Sequence, residues 1–466
     1  MGETLAVPVW LALPAALLAA WAAYDKLVMP ALRWLLARPA NQMIDELSTR
    51  LRIGIRPFQR TRRQALIHRL TTDPKVLQAA ERYAAAHRLP LPKVMQRVER
   101  YAREIVPAFN AYLYFRFGYW AGRKLAQSLY RVRLGYVDTA GIAAIDPDAT
   151  VVFVMNHRSN MDYVLAAYLA AQQTSLSYAV GEWARLWPLS ALIRAMGAYF
   201  VRRNSADELY RRVLERYIAM ATEAGVPQAV FPEGGLSRDG RMREPRLGVL
   251  DYMLRGFRRD GERDLVFVPL GINYDRVLED RTLLASLSGS RRGRLKTVWG
   301  TLRFLLHNLG LVLRSEWHRF GYACVNFGTP ISMRGYDVDF QRLGPEERKL
   351  AVARLGRTLM DAVGRVVPVV PVALIAQVFL ARRSLTALDL KAEAGRLLQR
   401  LEGAHVYVPR RDLDYALTVG LRMLTLRRLV EEREGVYSAR EEELPLLRYY
   451  ANSIAHLLQA PDGEIR

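Results

Sequence analysis

Four residues separate His157 from Asp162 in the stretch Asn156-His157-Arg158-Ser159-Asn160-Met161-Asp162. A carboxylate beside an imidazole holds one ring nitrogen as a donor and leaves the other free to take a proton. On one continuous helix, residues five apart are rotated by roughly 140° and do not meet. The pair therefore needs His157 on a turn, with the chain folding back to bring Asp162 under its ring. Spacing alone is a weak signal, since His68 and Asp73 have the same separation. Context distinguishes them. The apolar, β-branched run Thr150–Met155 reads as a buried strand ending just before His157, and Asp162 opens a helical stretch whose N–H groups favour a carboxylate. His68 lies in a basic helical region, with Pro74 after its aspartate. No serine or cysteine stands as a nucleophile beside the pair; Ser159 reads as a turn or helix-cap residue. Two readings fit: a hydrogen-bonded structural histidine, or a base that activates a hydroxyl of the substrate itself.

Three further stretches carry groups suited to an anionic ligand. Gly197-Ala198-Tyr199-Phe200-Val201-Arg202-Arg203 ends a strand run in two arginines, whose guanidinium groups chelate a phosphate in a planar, bidentate way. Phe231-Pro232-Glu233-Gly234-Gly235-Leu236-Ser237-Arg238-Asp239-Gly240-Arg241 leads a strand into a carboxylate, two glycines that permit close backbone approach, a serine, and the cations Arg238 and Arg241. Val266-Phe267-Val268-Pro269-Leu270-Gly271 places Pro269 inside a strand run, which predicts a sheet edge or a strand end forming a pocket wall. Surface arginines, an ordinary solvent loop and simple strand termination are the plainer readings of the three.

The elements that must position these groups alternate in type. Strand runs at Thr150–Met155, Ser175–Val180, Ala198–Val201, Gln228–Phe231, Leu265–Asn273 and Tyr322–Phe327 are interleaved with helical stretches at Asp162–Ala171, Trp187–Met196 and Ala206–Thr222. That order predicts an α/β sheet covered on both faces, with the chemistry where strands end. The P-loop and the dinucleotide-binding fingerprint are absent. Cys324 in the last run reads as a core thiol. The chain has 466 residues, 51% of them apolar, which excludes wholesale disorder. A single cysteine excludes a disulfide framework and a cysteine zinc cluster.

The net charge of +22 calls for an anionic partner: nucleic acid, an acidic lipid surface or a phosphorylated substrate. Residues 41–135 hold 19 Lys/Arg against 6 Asp/Glu, so +13 of that charge lies in 95 residues. Their apolar spacing is helical, with a helix start at Asp73-Pro74. The aromatics Phe109, Tyr112, Tyr114, Phe115, Phe117, Tyr119 and Trp120 are interleaved with Arg116, Arg123 and Lys124. This mixture suits a membrane interface, a single-stranded nucleic acid, or a solvated basic face over a small core. Leu5–Tyr24 is an uncharged run of twenty residues, long enough to cross a bilayer, and Arg33 and Arg38 after it place the bulk of the chain on the cytoplasmic side. Mean hydropathy of −0.04 excludes a polytopic transporter. Residues 341–466 read as a helical tail, with Val366–Leu380 a buried or interfacial helix.

Taken in order, the four motif stretches resemble the four blocks of the glycerolipid acyltransferase family, and HRSNMDY, GAYFVRR and EGGLSRDGR are most similar to bacterial glycerol-3-phosphate acyltransferases of the PlsB type and to dihydroxyacetone-phosphate acyltransferases. Trp187-Pro188, Val325–Pro330 and Ala373–Leu385 extend the resemblance. Asn156 and Phe231-Pro232 are more similar to lysophosphatidate acyltransferases, and Leu236 stands where the PlsB type often has arginine. The resemblance implies an α/β fold with a mixed sheet flanked by helices. The organisation expected is a membrane anchor over 1–40, a basic, interfacial helical region over 41–135, a catalytic domain over 136–340 and a helical C-terminal region over 341–466. It implies His157 as general base, Asp162 as its orienting partner, Arg202 and Arg203 as ligands of the acceptor phosphate, and Glu233, Gly234, Ser237, Arg238 and Arg241 about the acceptor, with Pro269 positioning the fourth block. The activity implied is transfer of a fatty acyl group from acyl-CoA or acyl carrier protein to the sn-1 hydroxyl of glycerol 3-phosphate; lysophosphatidate, dihydroxyacetone phosphate or another lysolipid is the alternative acceptor. No metal and no cofactor beyond the acyl donor is expected. An anionic membrane surface is the expected partner rather than nucleic acid, at the inner membrane with the catalytic domain on the cytoplasmic face.

Overall fold

The computed structural model describes residues 56–111, 113–170, 176–180, 193–202, 205–287 and 320–458. Its centre is an eight-stranded sheet in the order β1-β7-β6-β2-β5-β3-β4, with β8 paired to β6. The strands are β1 (Arg131–Val137), β2 (Thr150–Met155), β3 (Ser177–Val180), β4 (Tyr199–Phe200), β5 (Gln228–Val230), β6 (Leu265–Tyr274), β7 (Tyr322–Phe327) and β8 (Ile331–Ser332). β6, β2, β5, β3 and β4 run parallel, while β7 is antiparallel to β6 and carries β1 parallel to itself. The sheet is therefore mixed.

β2 is buried at all six positions because both of its faces are covered. Val151, Phe153 and Met155 enter one core, and Val152 and Val154 enter the other. The second core holds residues of α1 (Arg63–Thr71), α2 (Pro74–His87), α3 (Leu91–Ile105), α6 (Glu208–Glu223), α7 (Gly248–Arg255) and α8 (Pro345–Arg365). The first holds residues of α4 (Tyr119–Leu129), α5 (Met161–Ala170), α9 (Pro371–Ala381), α10 (Ala387–Arg400), α11 (Leu413–Leu426) and α12 (Leu444–Ala451). Helix starts follow local chemistry. Asp73 accepts a hydrogen bond from the N–H of Lys75 with Pro74 in the first turn of α2, and Asp207 accepts from Tyr210 at the head of α6.

Three features differ from the sequence reading. Pro269 sits neither at an edge nor at a strand end but in the middle of β6, between β2 and the β7/β8 side. Its carbonyl accepts from the N–H of Gly328, and its ring nitrogen, on the same side, faces the seam where β8 stops and β7 begins. No ladder donor is required at that seam, so the missing N–H is tolerated. The C-terminal region is not helical throughout: β9 (Ser384–Thr386), β10 (Val430–Arg433) and β11 (Val436–Ala439) form a small antiparallel sheet. The main sheet opens at Arg131, inside the segment expected to be helical. The helix expected over Val366–Leu380 starts only at Pro371, as α9, which is buried along most of its length, while Val369 before it bridges to Val406 in extended form. The expected anchor over 1–40 lies outside the described residues, and among the described residues no helix is long and apolar enough to cross a membrane.

Candidate active site

Three of the four motif stretches carry their polar residues just past the ends of parallel strands. His157 follows β2, Arg202 follows β4, and Phe231 to Arg241 follow β5, so the parallel register brings them to one end of the sheet. His157 lies on the turn between β2 and α5, and Asp162 is the second residue of α5. The imidazole Nδ1 is 2.9 Å from Asp162 Oδ2. The same oxygen accepts the backbone N–H groups of Arg158 at 2.7 Å and Ser159 at 2.9 Å. Tyr274, at the end of β6, donates its hydroxyl to Asp162 Oδ1 at 2.5 Å. A carboxylate ringed by four donors accepts at both oxygens, so Nδ1 carries the proton and Nε2 is the acceptor. Nε2 is buried without a hydrogen-bond partner, and His157 is 1% exposed. Its ring lies on Phe231 at 4.2 Å, with Tyr163 edge-on at 5.3 Å.

Every residue of the turn is fastened. The Asn156 side chain donates to the carbonyl of Ile272 and accepts the N–H of the same residue, continuing the ladder onto β6. The His157 N–H donates to Glu233 Oε1 at 2.8 Å, and its carbonyl accepts the N–H of Ser237 at 2.9 Å. Arg158 donates to the carbonyl of Gly240 and lies over the Tyr449 ring of α12 at 4.8 Å. Ser159 Oγ donates to Glu279 at 2.8 Å, and Asn160 donates to the same carboxylate through its backbone and its amide. Burial pushes the Glu279 carboxyl up, opposed by these bonds. Such over-determination fixes the direction of Nε2, as a proton acceptor in a preorganised site requires.

Glu233 accepts a second backbone N–H, from Arg243 at 3.1 Å. Burial raises its carboxyl to about 7, opposed by the two N–H groups and by the charge of Arg158. Ser237 Oγ donates to the carbonyl of Arg241 and accepts the N–H of Gly240. Both side chains brace the loop against His157. Gly234 has φ +67°, and a Cβ there would stand 2.4 Å from the Arg246 side chain. Arg238 and Arg241 are exposed on this loop.

Arg202 donates to both oxygens of Glu104, at 2.9 and 2.5 Å, and its guanidinium lies over the rings of Tyr101 and Tyr210. The carboxylate of Glu104 holds the guanidinium proton above its ordinary value. Arg203 lies outside the described residues, as does Trp187-Pro188. A cavity of about 410 Å³ is lined by Arg202, Arg211, Phe231, Pro232, Gly234 and Arg246, among others. Phe231 thus both packs on the His157 imidazole and lines this cavity. Pro269 is not among the lining residues.

Sequence reasoning missed Tyr274, Glu279, Arg211 and Arg246. The first two look like a core aromatic and a loop acid, and only the fold carries them to the turn. The arginines lie just past motif stretches, with no spacing that marks them. The decoy pair parts company: His68 is exposed on α1, and Asp73 caps α2 and pairs with Arg216 at 2.7 Å. Cys324 is buried in β7, with its thiol pushed up by burial, and serves the core.

The family comparisons agree with this architecture. Residues 137–273 match the Acyltransferase family model, and residues 308–461 match the glycerol-3-phosphate acyltransferase C-terminal region. The chain belongs to the acyltransferase family. Within it, the second match joins the catalytic segment to the C-terminal region named for glycerol-3-phosphate acyltransferases. Proteins named glycerol-3-phosphate acyltransferase from Pseudomonas entomophila and Pseudomonas putida are 29% identical over 424 residues and 30% identical over 432 residues, in each case 86% of this chain and 49% of the relative. The chain thus spans about half the length of the curated relatives it matches. The crystal structure of the 1-acyl-sn-glycerophosphate acyltransferase PlsC from Thermotoga maritima aligns with a TM-score of 0.31 at 18% identity, covering 53% of this chain and 77% of that one.

Proposed function

We propose that the protein transfers a fatty acyl group from a thioester, acyl-CoA or acyl carrier protein, to the sn-1 hydroxyl of glycerol 3-phosphate. The observation that carries this reading is the buried, unpartnered Nε2 of an imidazole whose other nitrogen is held by a four-donor carboxylate. As the hydroxyl oxygen attacks the thioester carbonyl, Nε2 takes its proton, and Asp162 offsets the charge that develops on the ring. Collapse of the tetrahedral intermediate expels the thiolate, which takes the proton back from the imidazolium. No bond to the enzyme forms. The acceptor phosphate sits in the arginine-lined cavity, with Arg211 and Arg246 sharing the task first given to Arg202 and Arg203, and binding there orients the hydroxyl past Phe231 toward His157. Glu233 and Ser237 act by fixing the loop.

The relatives' names support glycerol 3-phosphate as acceptor. The uncharged run Leu5–Tyr24 and the exposed Trp120 beside Arg123 and Lys124 support work at an anionic membrane surface, the inner membrane with the catalytic domain on its cytoplasmic side, rather than on nucleic acid. The test is acyl transfer by the full chain with each donor, offered glycerol 3-phosphate, dihydroxyacetone phosphate or lysophosphatidate, in wild type and His157→Ala. A lost general base lowers turnover by about 10²–10⁴-fold. Activity surviving in the alanine variant removes the base, and a preference for another acceptor removes glycerol 3-phosphate.

A further inference from the structure

Among the described residues β1 forms one edge of the main sheet, and it carries a cluster of cations that the proposed chemistry does not use. On β1, Arg131 and Arg133 alternate onto one face, both exposed. Arg131 Nη1 is 3.5 Å from the hydroxyls of Tyr322 and Tyr415, and Arg133 Nε donates to the hydroxyl of Tyr407 at 3.1 Å. From the C-terminal region, Arg410 lies over the Tyr415 ring at 4.2 Å, with Arg411 beside it. Among the described residues these arginines meet hydroxyls, rings and, for Arg133, the carbonyl of Val132 at 3.2 Å, rather than carboxylates. The nearest acids in sequence are engaged elsewhere: Asp412 accepts the N–H of Tyr415 at the head of α11, and Asp414 pairs with Lys391 at 2.8 Å. Arg410 and Arg411 have φ of +59° and +56°, a conformation that costs a non-glycine residue on the order of 1 kcal/mol each. Arginines on an edge strand blunt it against pairing. That role accounts for Arg131 and Arg133 but not for two strained arginines brought to the same place from another part of the chain.

The register fixes where the cluster stands relative to His157. Arg131 is opposite Tyr322 on β7, and Ala323 is opposite Tyr274 on β6, whose hydroxyl holds Asp162. The ring of Tyr130, one residue before Arg131, packs on Tyr274 at 5.2 Å. The cluster is therefore level with the proton-transfer pair at the same end of the sheet. Three strand spacings separate β1 from β2, roughly 14 Å, a distance that an extended pantetheine arm spans.

We propose that this arginine–tyrosine cluster binds the phosphate of the acyl donor, the group from which the pantetheine arm hangs in both coenzyme A and acyl carrier protein. Guanidinium forks and phenol hydroxyls supply the charge-assisted and neutral donors that a phosphate takes. The inference rests on the acyl-transfer reading above. The Tyr415 hydroxyl is itself held below its ordinary range by its bond to Arg131 and by the nearby Arg410, a sign of the positive field a phosphate meets there.

The test uses the full chain carrying Arg131→Gln with Arg410→Gln, and separately Arg133→Gln, each checked for an unchanged melting curve. Three donors with the same acyl group are compared: acyl-CoA, acyl carrier protein, and acyl-pantetheine, which has the thioester but no phosphate. The double variant should raise the KM for acyl-CoA and acyl carrier protein about tenfold, a change near 1.4 kcal/mol. Saturated turnover, the KM for glycerol 3-phosphate and the rate with acyl-pantetheine should stay at wild-type values. Unchanged donor KM, an equal loss with acyl-pantetheine, or a loss confined to one of the two phosphate-bearing donors overturns the proposal. Weaker binding to anionic vesicles at unchanged donor KM also overturns it, and gives the cluster to a lipid surface. Calorimetric titration of free coenzyme A needs no acceptor. If the wild type acylates none of the acceptors, the acyl-transfer reading falls, while a coenzyme A affinity equal in wild type and variant still sinks the cluster and a tenfold difference still upholds it.

Discussion

Replacing Glu233 by glutamine separates the charge of this side chain from its shape. Both carboxylate oxygens accept backbone N–H groups, from His157 and Arg243, and burial lifts the carboxyl from an ordinary 4.5 to about 7. Between those values the folded chain holds a proton that the unfolded chain has released. The stability this group contributes is thus full below pH 4.5 and lost as pH rises to 7. At about 1.36 kcal/mol per pH unit, the loss from pH 5.5 to 7 is about 2 kcal/mol. Glutamine does not titrate, so it removes that slope. It also turns an amide NH₂ toward one of the two backbone donors, which costs about 1–3 kcal/mol at every pH. Glu233→Gln should therefore be the less stable protein at pH 5.5, with the gap to wild type narrowing by about 2 kcal/mol at pH 8. Urea unfolding at the two pH values measures this directly. A gap that stays constant or widens with pH would refute the assignment of Glu233 as a buried clamp that ionises near neutrality.

Tyr274→Phe leaves Asp162 Oδ1 without its donor in a buried site, and should lower stability by about 1–3 kcal/mol. Its kcat should fall while the KM for glycerol 3-phosphate holds, and an unaltered kcat argues that Tyr274 is packing alone. Gly240 has φ +90°, and a Cβ there would stand 1.9 Å from the carbonyl oxygen of Tyr449. Gly240→Ala should cost at least ~3 kcal/mol in a denaturant titration, and a midpoint like that of wild type would show that α12 can yield.

The sheet was readable because strands buried on both faces are nearly continuous apolar runs, as β2 and β6 are apart from Thr150 and Asn273. The His157–Asp162 contact was readable because a strand end followed by a helix start leaves the chain only one way to join them. Pro269 misled because edge and centre look alike in sequence, and only the seam between β7 and β8 makes a central proline tolerable. The partner of Arg202 was hidden for a different reason: Glu104 lies in a segment whose charge is overwhelmingly positive, and nothing local marks it as the acid that crosses to β4. Tyr274, Glu279 and Tyr449 reach their partners on the His157 turn from 112 to 291 positions away, as the residue numbers give, and no periodicity carries that information.

The packing of Arg158 against Tyr449, together with the bond from the Asn452 amide to the carbonyl of Asp239, sets an order of events during synthesis. The ribosome delivers the proton acceptor nearly three hundred residues before the helix that pins the turn beside it. Until that helix emerges and docks, the guanidinium next to His157 lacks its aromatic platform and the glycine loop lacks one of its tethers. A nascent chain short of residue 444 already contains every hydrogen-bond partner of His157 and Asp162 but not the ring under Arg158, so the last brace of the turn is also the last to be made.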